Sequence, residues 1–174
     1  MSEQNESGMM DLYTMDMLSA LNRQLKRRWL VLGAAAAVLL AVFVWSLASR
    51  GDAQKETELQ VISTAALVLL GFFAVFWIDL FCMPLLRYRN LVRSALVNRN
   101  VTKSMEFVRT EPDLSMVDGV SCRSLIFLGD PDKHGAREQL LYWDENIPLP
   151  GLIPGKEYTV RYTDRTIVAV SQPV

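Results

Sequence analysis

Two uninterrupted apolar runs constrain this chain more than any other feature of its sequence. Residues 29–48 and 59–78 are each 20 residues long and contain no charged side chain. A helix of about 20 residues is about 30 Å long, which matches the hydrocarbon core of a bilayer. Most of the remaining sequence mixes apolar and polar residues, as expected for segments that fold in water. We therefore predict two transmembrane helices, at residues 29–48 and 59–79.

Basic residues near the ends of the spans predict the orientation of the protein. Nine Lys and Arg residues flank the two spans, whereas the connection 49–58 contains two, Arg50 and Lys55. Short loops rich in Lys and Arg stay in the cytoplasm. The first span is also longer than the apolar core of about 7 to 15 residues found in signal peptides. We therefore expect a multi-pass protein of the cell membrane, with both termini in the cytoplasm and an external loop at residues 49–58.

Helical patterns continue on both sides of the predicted spans. Within the N-terminal segment 1–28, which begins as a polar tail, apolar residues recur at helical spacing, at Met10, Tyr13, Met17, Leu21 and Leu25. This spacing predicts an amphipathic juxtamembrane helix, which lies on the bilayer surface or binds a partner protein. Residues 80–99 form a similar stalk that carries Arg87, Arg89 and Arg93, and its apolar stripe consists of Leu85, Tyr88, Leu91, Val92, Ala95 and Leu96. A basic amphipathic helix is attracted to anionic lipid headgroups, so we expect these arginines to contact membrane lipid.

The hydrophobic period changes from that of a helix to that of a strand after residue 100. Alternating apolar and polar residues predict five strands, at residues 101–110, 120–128, 138–144, 157–163 and 166–171. Five short strands in about 75 residues favour a small barrel, because closure removes the exposed edges of a sheet. The connection before the fourth strand contains Pro148, Pro150 and Pro154 and no helical pattern. This connection favours an SH3-like barrel over an OB-like one.

Together these elements predict an α+β membrane protein. A two-helix transmembrane hairpin precedes a cytosolic, antiparallel, five-stranded β-barrel-like domain at residues 100–174. At the level of architecture alone, this arrangement resembles membrane-anchored small-barrel proteins of bacteria, such as those of the NfeD type. No sequence motif carries the resemblance, and it implies no activity.

Asp79 is the acidic residue at the end of the second span. An acid within an apolar helix is by default a candidate for ion or proton transport. Asp79 and Arg28 lie at nearly equal sequence distances from the external loop, so a hairpin brings both to the same depth at the cytoplasmic interface. An Arg28–Asp79 ion pair is therefore the structural interpretation, and a transport role is the functional one.

Tyr142 and Trp143 are candidates for contact with a partner. Together with Tyr158 and Tyr162 they provide the rings for an exposed aromatic platform. Neighbouring residues of a strand point to opposite faces, so we expect at least one of these rings to lie in the core. The adjacent Asp144 and Glu145 follow at the end of the same strand, and we expect both carboxylates to be solvated.

The sequence argues against several classes of function. It contains none of the nucleotide-binding, hydrolase or metalloprotease motifs, and its one histidine and two cysteines are far apart. The segment starting at Asp130 resembles the opening of a calcium loop, but Leu141 replaces the required glutamate. Residues 100–174 carry 8 basic and 11 acidic side chains, which disfavours nucleic acid as a partner. We therefore predict no catalysis, no cofactor and no metal site.

The architecture predicts a binding or assembly role. A two-pass anchor presents the β domain to an unidentified protein partner, as an accessory of a membrane complex. The alternative is an oligomeric transport or channel component, in which copies of the chain associate and Asp79 faces a water-filled path. Polar residues at successive turns of the spans would favour transport, and only Ser63 and Thr64 near one end provide them.

Overall fold

The structure is a computed structural model that describes residues 9–49, 56–129 and 137–171. It divides the chain into two compact units. The first, here called the β unit, comprises Met1–Ser19 and Arg87–Val174. The second, the helical unit, comprises Ala20–Leu86. Residues 9–19 therefore belong to the same unit as the C-terminal strands rather than to the unit of the helices that follow them.

The helices are longer than the predicted spans. Helix α1 extends over Met15–Ala48 and α2 over Glu56–Trp77; a π-helical turn, Ile78–Cys82, then leads into α3, Met83–Val97. Two of the helical segments, Met15–Ala48 and Thr57–Val97, are long and apolar enough to cross a membrane. In each, only 11% of the most apolar window is buried within the protein, unlike the core helix of a soluble domain.

The N-terminal amphipathic helix begins later than its pattern predicts. Residues Met9–Asp11 form a short strand, β1, and α1 starts only at Met15. Met10 and Tyr13 were assigned to the helix by their spacing, and this assignment is wrong. A strand of three residues is too short to show the alternation of apolar and polar residues that identifies a strand. The apolar residues of this segment are also spaced as in a helix, so the pattern predicted a helix.

Five further strands complete a six-stranded sheet. They are β2 (Val101–Val117), β3 (Val120–Leu128), β4 (Glu138–Asp144), β5 (Glu157–Thr163) and β6 (Thr166–Ser171). The strand order is β1-β6-β4-β3-β2-β5, and β6 also pairs with β5. The ladders are antiparallel except for one parallel pairing, Tyr142 with Thr166, between β4 and β6. Each strand from β2 to β6 therefore has at least two hydrogen-bonded neighbours.

The sheet differs from its prediction at two places. It has six strands rather than five, because β1 pairs antiparallel with β6 from Met9↔Ser171 to Asp11↔Ala169. The first predicted strand also continues past Thr110 to Val117. Pro112 lies where the register shifts between Thr110 and Leu114, outside the ladder, so that the strand continues past it. The other four strands have the predicted bounds.

The inner strands of the sheet are buried on both faces. In β6 all residues from Thr166 to Val170 are buried, and β3 has consecutive buried residues from 124 to 127. One face of the sheet carries the large core residues Met105, Phe107, Phe127, Trp143 and Tyr158. The residues Cys122 and Asp144, which are paired across β3 and β4, are buried on the other face. The β unit therefore covers both sides of these strands with its own residues.

Candidate functional site

A buried carboxylate, Asp144, is the most unusual group in the β unit. It lies at the end of β4 and is 0% exposed. Its Oδ1 accepts hydrogen bonds from the backbone N–H and the side-chain amide of Asn146, both at 2.9 Å. The backbone carbonyl of Asp144 also accepts from the N–H of Ile147 at 3.1 Å. This turn fixes the carboxylate and satisfies one of its two oxygens.

The hydroxyl of Tyr13 is buried beside the Asp144 carboxylate. Within the described residues, neither Oδ2 of Asp144 nor the Tyr13 hydroxyl has a hydrogen-bond partner that meets geometric criteria, and both atoms are buried. Tyr13 is 3% exposed, and its burial raises its pKa far above the usual range, with the charge of Asp144 raising it further. The two groups thus interact electrostatically across the interior of the β unit.

Tyr88 of α3 and Cys122 of β3 complete the cluster. Burial raises the pKa of Tyr88, and the adjacent Asp144 carboxylate adds to the rise because it stabilises the protonated hydroxyl. Burial also raises the pKa of the Cys122 thiol to about 11, with smaller contributions from the charges of Asp144, Asp118 and Glu145. Both groups therefore keep their protons at neutral pH. We call these four residues, Tyr13, Tyr88, Cys122 and Asp144, the acid cluster.

The acid cluster joins three separate parts of the chain. Tyr13 lies two residues before the start of α1, Tyr88 belongs to α3, and Asp144 belongs to the sheet. A buried carboxylate is costly unless donors surround it, so the two phenols and the Asn146 turn stabilise it together. A thiol that stays protonated is a poor nucleophile. The arrangement is suited to holding these segments together rather than to covalent chemistry.

Contacts beside the acid cluster hold the N-terminal segment to the sheet. The N–H of Leu12 donates to the carbonyl of Val168 at 2.8 Å, which continues the β1–β6 ladder by one residue. The carboxylate of Asp11 forms an ion pair with Arg161 of β5. Leu12 itself is 4% exposed. Five consecutive residues, 9–13, are therefore anchored to the β unit.

Sequence reasoning missed this cluster. We expected Asp144 to be solvated beside Glu145, and the structure shows instead that Asp144 is buried while Glu145 is exposed. The error arose because adjacent acids at a strand end are usually solvated, and the residues that bury Asp144 are far away in sequence. One local signal was present: Asn146 stands two positions after Asp144, as in an Asx-type turn.

Arg28 and Asp79 both belong to the helical unit. Arg28 donates to the backbone carbonyl of Phe81, and its own carbonyl accepts from the Trp77 indole N–H at 3.1 Å. Asp79 belongs to the π-helical turn that contains Phe81, and its side chain is exposed. Across the described residues no ion pair joins Arg28 to Asp79. The contacts of Arg28 instead join the middle of α1 to the end of α2 and to the π-helical turn.

The aromatic candidates are divided between core and surface. Trp143 is 1% exposed, and its indole N–H donates to the carbonyl of Ile147 at 2.8 Å. Tyr158 is also 1% exposed, and its hydroxyl accepts from the N–H of Ile153 at 2.9 Å. The expectation that at least one ring lies in the core is confirmed. Tyr142 and Tyr162 are half-buried and do not form a platform with the two buried rings.

The predicted lipid contacts differ in exposure. Arg87 and Arg93 are exposed on α3, whereas Arg89 is half-buried and donates to the side chain of Asn90 at 3.1 Å. The buried residues of this helix are Leu91, Val92 and Ala95, which belong to the predicted apolar stripe. The amphipathic character expected of the stalk is therefore present.

Two further sources of functional information are groups of metal-binding side chains and similarity to known proteins. In the ranges that the structure describes, no group of three or more His, Cys, Asp or Glu side chains is arranged to hold a metal ion. The segment that resembles a calcium loop, with His134, lies outside those ranges. No family model, curated protein or solved structure matches this chain.

Proposed function

We propose that the protein is a two-pass membrane anchor that holds a small β module at the cytoplasmic face of the cell membrane, where the module binds a protein partner. The observation that carries this proposal is the acid cluster. Tyr13 comes just before α1 and Tyr88 follows α2, yet both are anchored in one compact unit at Asp144. A hairpin whose two ends belong to one folded unit must have both ends on the same side of a bilayer. The nine flanking basic residues favour the cytoplasmic side.

We also propose that the module is a closed, OB-like barrel. The support is that each strand from β2 to β6 pairs with at least two others, so that the pairing forms a ring. An OB fold is a five-stranded Greek-key barrel, in which the third and fifth strands are parallel neighbours. The parallel pairing of β4 with β6, the third and fifth strands of the ring, fits this form better than the SH3-like form. The strand β1 is then an addition to the barrel.

The connections to the membrane are short, which suits an assembly role. One residue, Thr14, separates Tyr13 from α1, and Tyr88 lies within α3 itself. A flexible linker would let the module search for partners, whereas two short connections restrict its orientation. A restricted orientation reduces the entropy that is lost when a partner within the same membrane binds.

Topology reporters test the anchoring. A reporter that is active only outside the cytoplasm is fused after Val174, and a second is inserted in the connection 49–58. We expect the terminal fusion to be inactive and the loop insertion to be active. An active fusion after Val174 would contradict the proposed orientation, and two fusions with equal activity would contradict the hairpin.

Photocrosslinking in native membranes tests the binding role. A photoreactive amino acid replaces Ile153, which is 50% exposed in the β unit, or Val61, which is 64% exposed in α2. We expect Ile153 to give a discrete protein adduct that disappears when an excess of the full-length chain without the photoreactive residue is present. If Ile153 gives no protein adduct, and neither do Leu140 or Tyr162, the binding role is wrong.

A second candidate function is transport, and the π-helical turn favours it. Such turns frequently mark functional sites, and Asp79 lies exposed within this one. Transport predicts ion or proton flux in reconstituted vesicles that Asp79→Asn abolishes while the fold is retained. Flux that depends on Asp79 and exceeds that of empty vesicles would replace the anchoring proposal with the transport one.

A further inference from the structure

Within the described residues, the outer half of β2 has a neighbouring strand on one side only. Its ladder with β5 ends at Glu106, and Phe107 makes the last backbone hydrogen bonds on that side. From Leu114 to Val117 the strand pairs with β3 alone. The sheet therefore has an open edge at residues 114–117, here called the β2 edge.

The turn of the β2–β3 hairpin determines which backbone groups point out of this edge. Asp118 and Gly119 both have a positive φ, of 50° and 78°, and together they form a two-residue turn of type I′. The residues that close such a turn, here Val117 and Val120, exchange both of their backbone hydrogen bonds. Successive pairs along an antiparallel ladder then alternate between bonded and non-bonded. The turn therefore fixes the direction of every backbone group in this part of β2.

The outward groups of the β2 edge belong to Leu114 and Met116. Both residues fall in non-bonded pairs with β3, so their N–H and C=O groups point away from it. Met116 is paired with Ser121, whose outward carbonyl, on the far side of β3, accepts from the N–H of Glu145 at 3.2 Å. In the part of the chain that the structure describes, no strand lies beside the outward groups of Leu114 and Met116. Their donors and acceptors are therefore available to an added strand.

The β2 edge is an ordered strand with an apolar surface. The side chains of Leu114 and Met116 are 51% and 69% exposed. On the opposite face of the hairpin, Val120 and Cys122 are buried, and the side chain of Arg87 packs against the turn. The hairpin is thus held in position from its inner face, and it presents the β2 edge without a cost of ordering a loop.

The β2 edge is short. Pro112 has no N–H, and the register shift between Thr110 and Leu114 ends the regular ladder at this point. Proline, irregularities and charges are common at exposed edges, because they prevent unspecific pairing between sheets. Here Asp113 and Asp118 stand at the two ends of the edge. The edge can therefore add a strand of about four residues but cannot start a longer sheet.

Charges around the β2 edge favour a basic partner. Arg109 and Glu111 form an ion pair with each other at 3.1 Å, which leaves Asp113 and Asp118 in line with the edge. Acids outnumber cations by one among all the charged side chains near this end of the hairpin, which are Arg87, Arg109 and Arg123 against Glu111, Asp113, Asp118 and Glu145. A strand with a basic residue at each end complements the two aspartates.

We propose that the β2 edge is the site at which the module binds its protein partner, by accepting an extended segment of that protein as an added strand beside residues 114–117. The segment has an apolar centre and basic ends. This inference rests on the proposed binding role and assigns it a place and a mode of recognition. In strand addition, main-chain hydrogen bonds supply affinity and side chains supply specificity. A second copy of this chain is disfavoured, because two paired β2 edges would bring Asp113 and Asp118 of both chains into one interface.

Photocrosslinking of the full chain in native membranes tests the proposal, with a photoreactive diazirine amino acid in place of Leu114. Met116→Pro removes the outward N–H together with the methionine side chain, whereas Met116→Thr, the matched control, removes the side chain alone. Proline is tolerated on an edge strand whose N–H makes no bond within the sheet. We expect a protein adduct whose yield is about tenfold lower in Met116→Pro than in Met116→Thr, because the partner's acceptor is left unsatisfied. Equal yields in the two variants would overturn strand addition.

Hydrogen exchange in the purified adduct is a second measurement, and it needs no proline variant. Fragmentation mass spectrometry compares the amides of residues 114 and 116 between the adduct and the free chain. We expect both to exchange more slowly in the adduct, by about tenfold or more, because they become hydrogen-bonded. The amides of residues 115 and 117 bond to β3 in both states and should change little. Unchanged exchange at 114 and 116 would mean that the partner contacts side chains alone, and the proposal would be wrong.

Two further arms test the chemistry of the occupant. Asp113→Asn combined with Asp118→Asn should lower the adduct yield about threefold at low salt, whereas Glu145→Gln, the matched control, should not. Equal yields would overturn the assignment of a basic segment. Two copies of the chain that carry different tags are also expressed together. An adduct that contains both tags would identify the occupant as a second copy and overturn the assignment to a different protein.

Other crosslinking positions separate the failure of this inference from the failure of the proposed function. If residue 114 gives no adduct but Ile153, Leu140 or Tyr162 gives one, the binding role stands and its site is not the β2 edge. If none of these positions gives a protein adduct, both the binding role and the β2 edge are wrong.

Discussion

The β unit and the helical unit use apolar side chains in opposite ways. In β6 the four residues from Ile167 to Val170 are each at most 4% exposed. In α2, by contrast, Val61, Val68 and Phe72 are each more than 60% exposed. The β unit supplies its own apolar environment by packing strands, N-terminal segment and α3 together. The helices leave a surface that is stable only in lipid or against another protein. Valine and other apolar side chains are therefore buried inside the β unit, whereas in the helical unit they remain exposed on the helix surface.

The largest expected effect comes from placing a charge in the second predicted span. Val68 is at its centre, where an arginine costs about 3 kcal/mol of apparent insertion free energy. We expect Val68→Arg to reduce strongly the inserted fraction in a glycosylation or protease-protection assay. Thr102→Arg, at an exposed position of β2, is the control and should insert normally. If the two variants insert equally well, the helical unit does not have lipid as its environment.

The next largest effect is expected from removal of the buried acid in the β unit. Asp144→Ala leaves two donors of Asn146 and the adjacent phenols without their acceptor, which costs about 2 to 3 kcal/mol. The neighbouring exposed Glu145→Ala should change stability by less than about 0.5 kcal/mol. Denaturant unfolding of the detergent-solubilised protein, followed by the β-sheet circular dichroism signal, measures both. Equal effects at the two positions would show that the acid cluster contributes nothing to the joining of the three segments.

The smallest expected effect is a loss of stability in alkali that is specific to the β unit. The pKa of Cys122 rises from 9.0 to about 11 on folding, so the folded state binds more protons than the unfolded state between these values. The free energy of unfolding is unaffected below about pH 9 and falls as the pH rises toward 11, by on the order of 2 kcal/mol at most. Tyr13 and Tyr88, whose pKa values are also raised, extend the fall to higher pH.

Cys122→Ala isolates the thiol's share of this pH dependence. It removes the titrating group, so the slope of stability against pH between 9 and 11 should become shallower, whatever the variant loses at neutral pH. Thermal unfolding at a series of pH values measures the slope. An unchanged slope in Cys122→Ala would assign the alkaline effect to the tyrosines alone.

The sequence predicted those parts of the structure whose signal is local. The bounds of β3 to β6 match the alternation of apolar residues, and the predicted stripe of α3 contains its buried Leu91, Val92 and Ala95. The two apolar runs lie within helices of sufficient length to cross a membrane. In each case residues close together in sequence determine the structure, because the spacing of apolar residues shows which face of a helix or strand is buried.

The parts that the sequence did not predict depend on distant residues. Met10 and Tyr13 fit a helical pattern, but pairing with β6 places Met10 in a strand and buries Tyr13 next to Asp144. Asp144 looked like a solvated acid because nothing near it in sequence covers it. Tertiary contacts overrode the local preference at both sites, and these are the contacts that form the candidate site.

The pairing of β1 with β6 has a consequence for biosynthesis. Met9 is synthesised well before its partner Ser171, which is made about 160 positions later. At about 5 to 20 residues per second, the segment that contains β1 waits roughly ten to thirty seconds for this strand, while the apolar helices between them are synthesised. The sheet is therefore completed only after both apolar helices have been made. A chain truncated before β6 leaves β1 and Tyr13 without their partners, so that an unfinished product exposes its N-terminus to proteases that a finished one excludes.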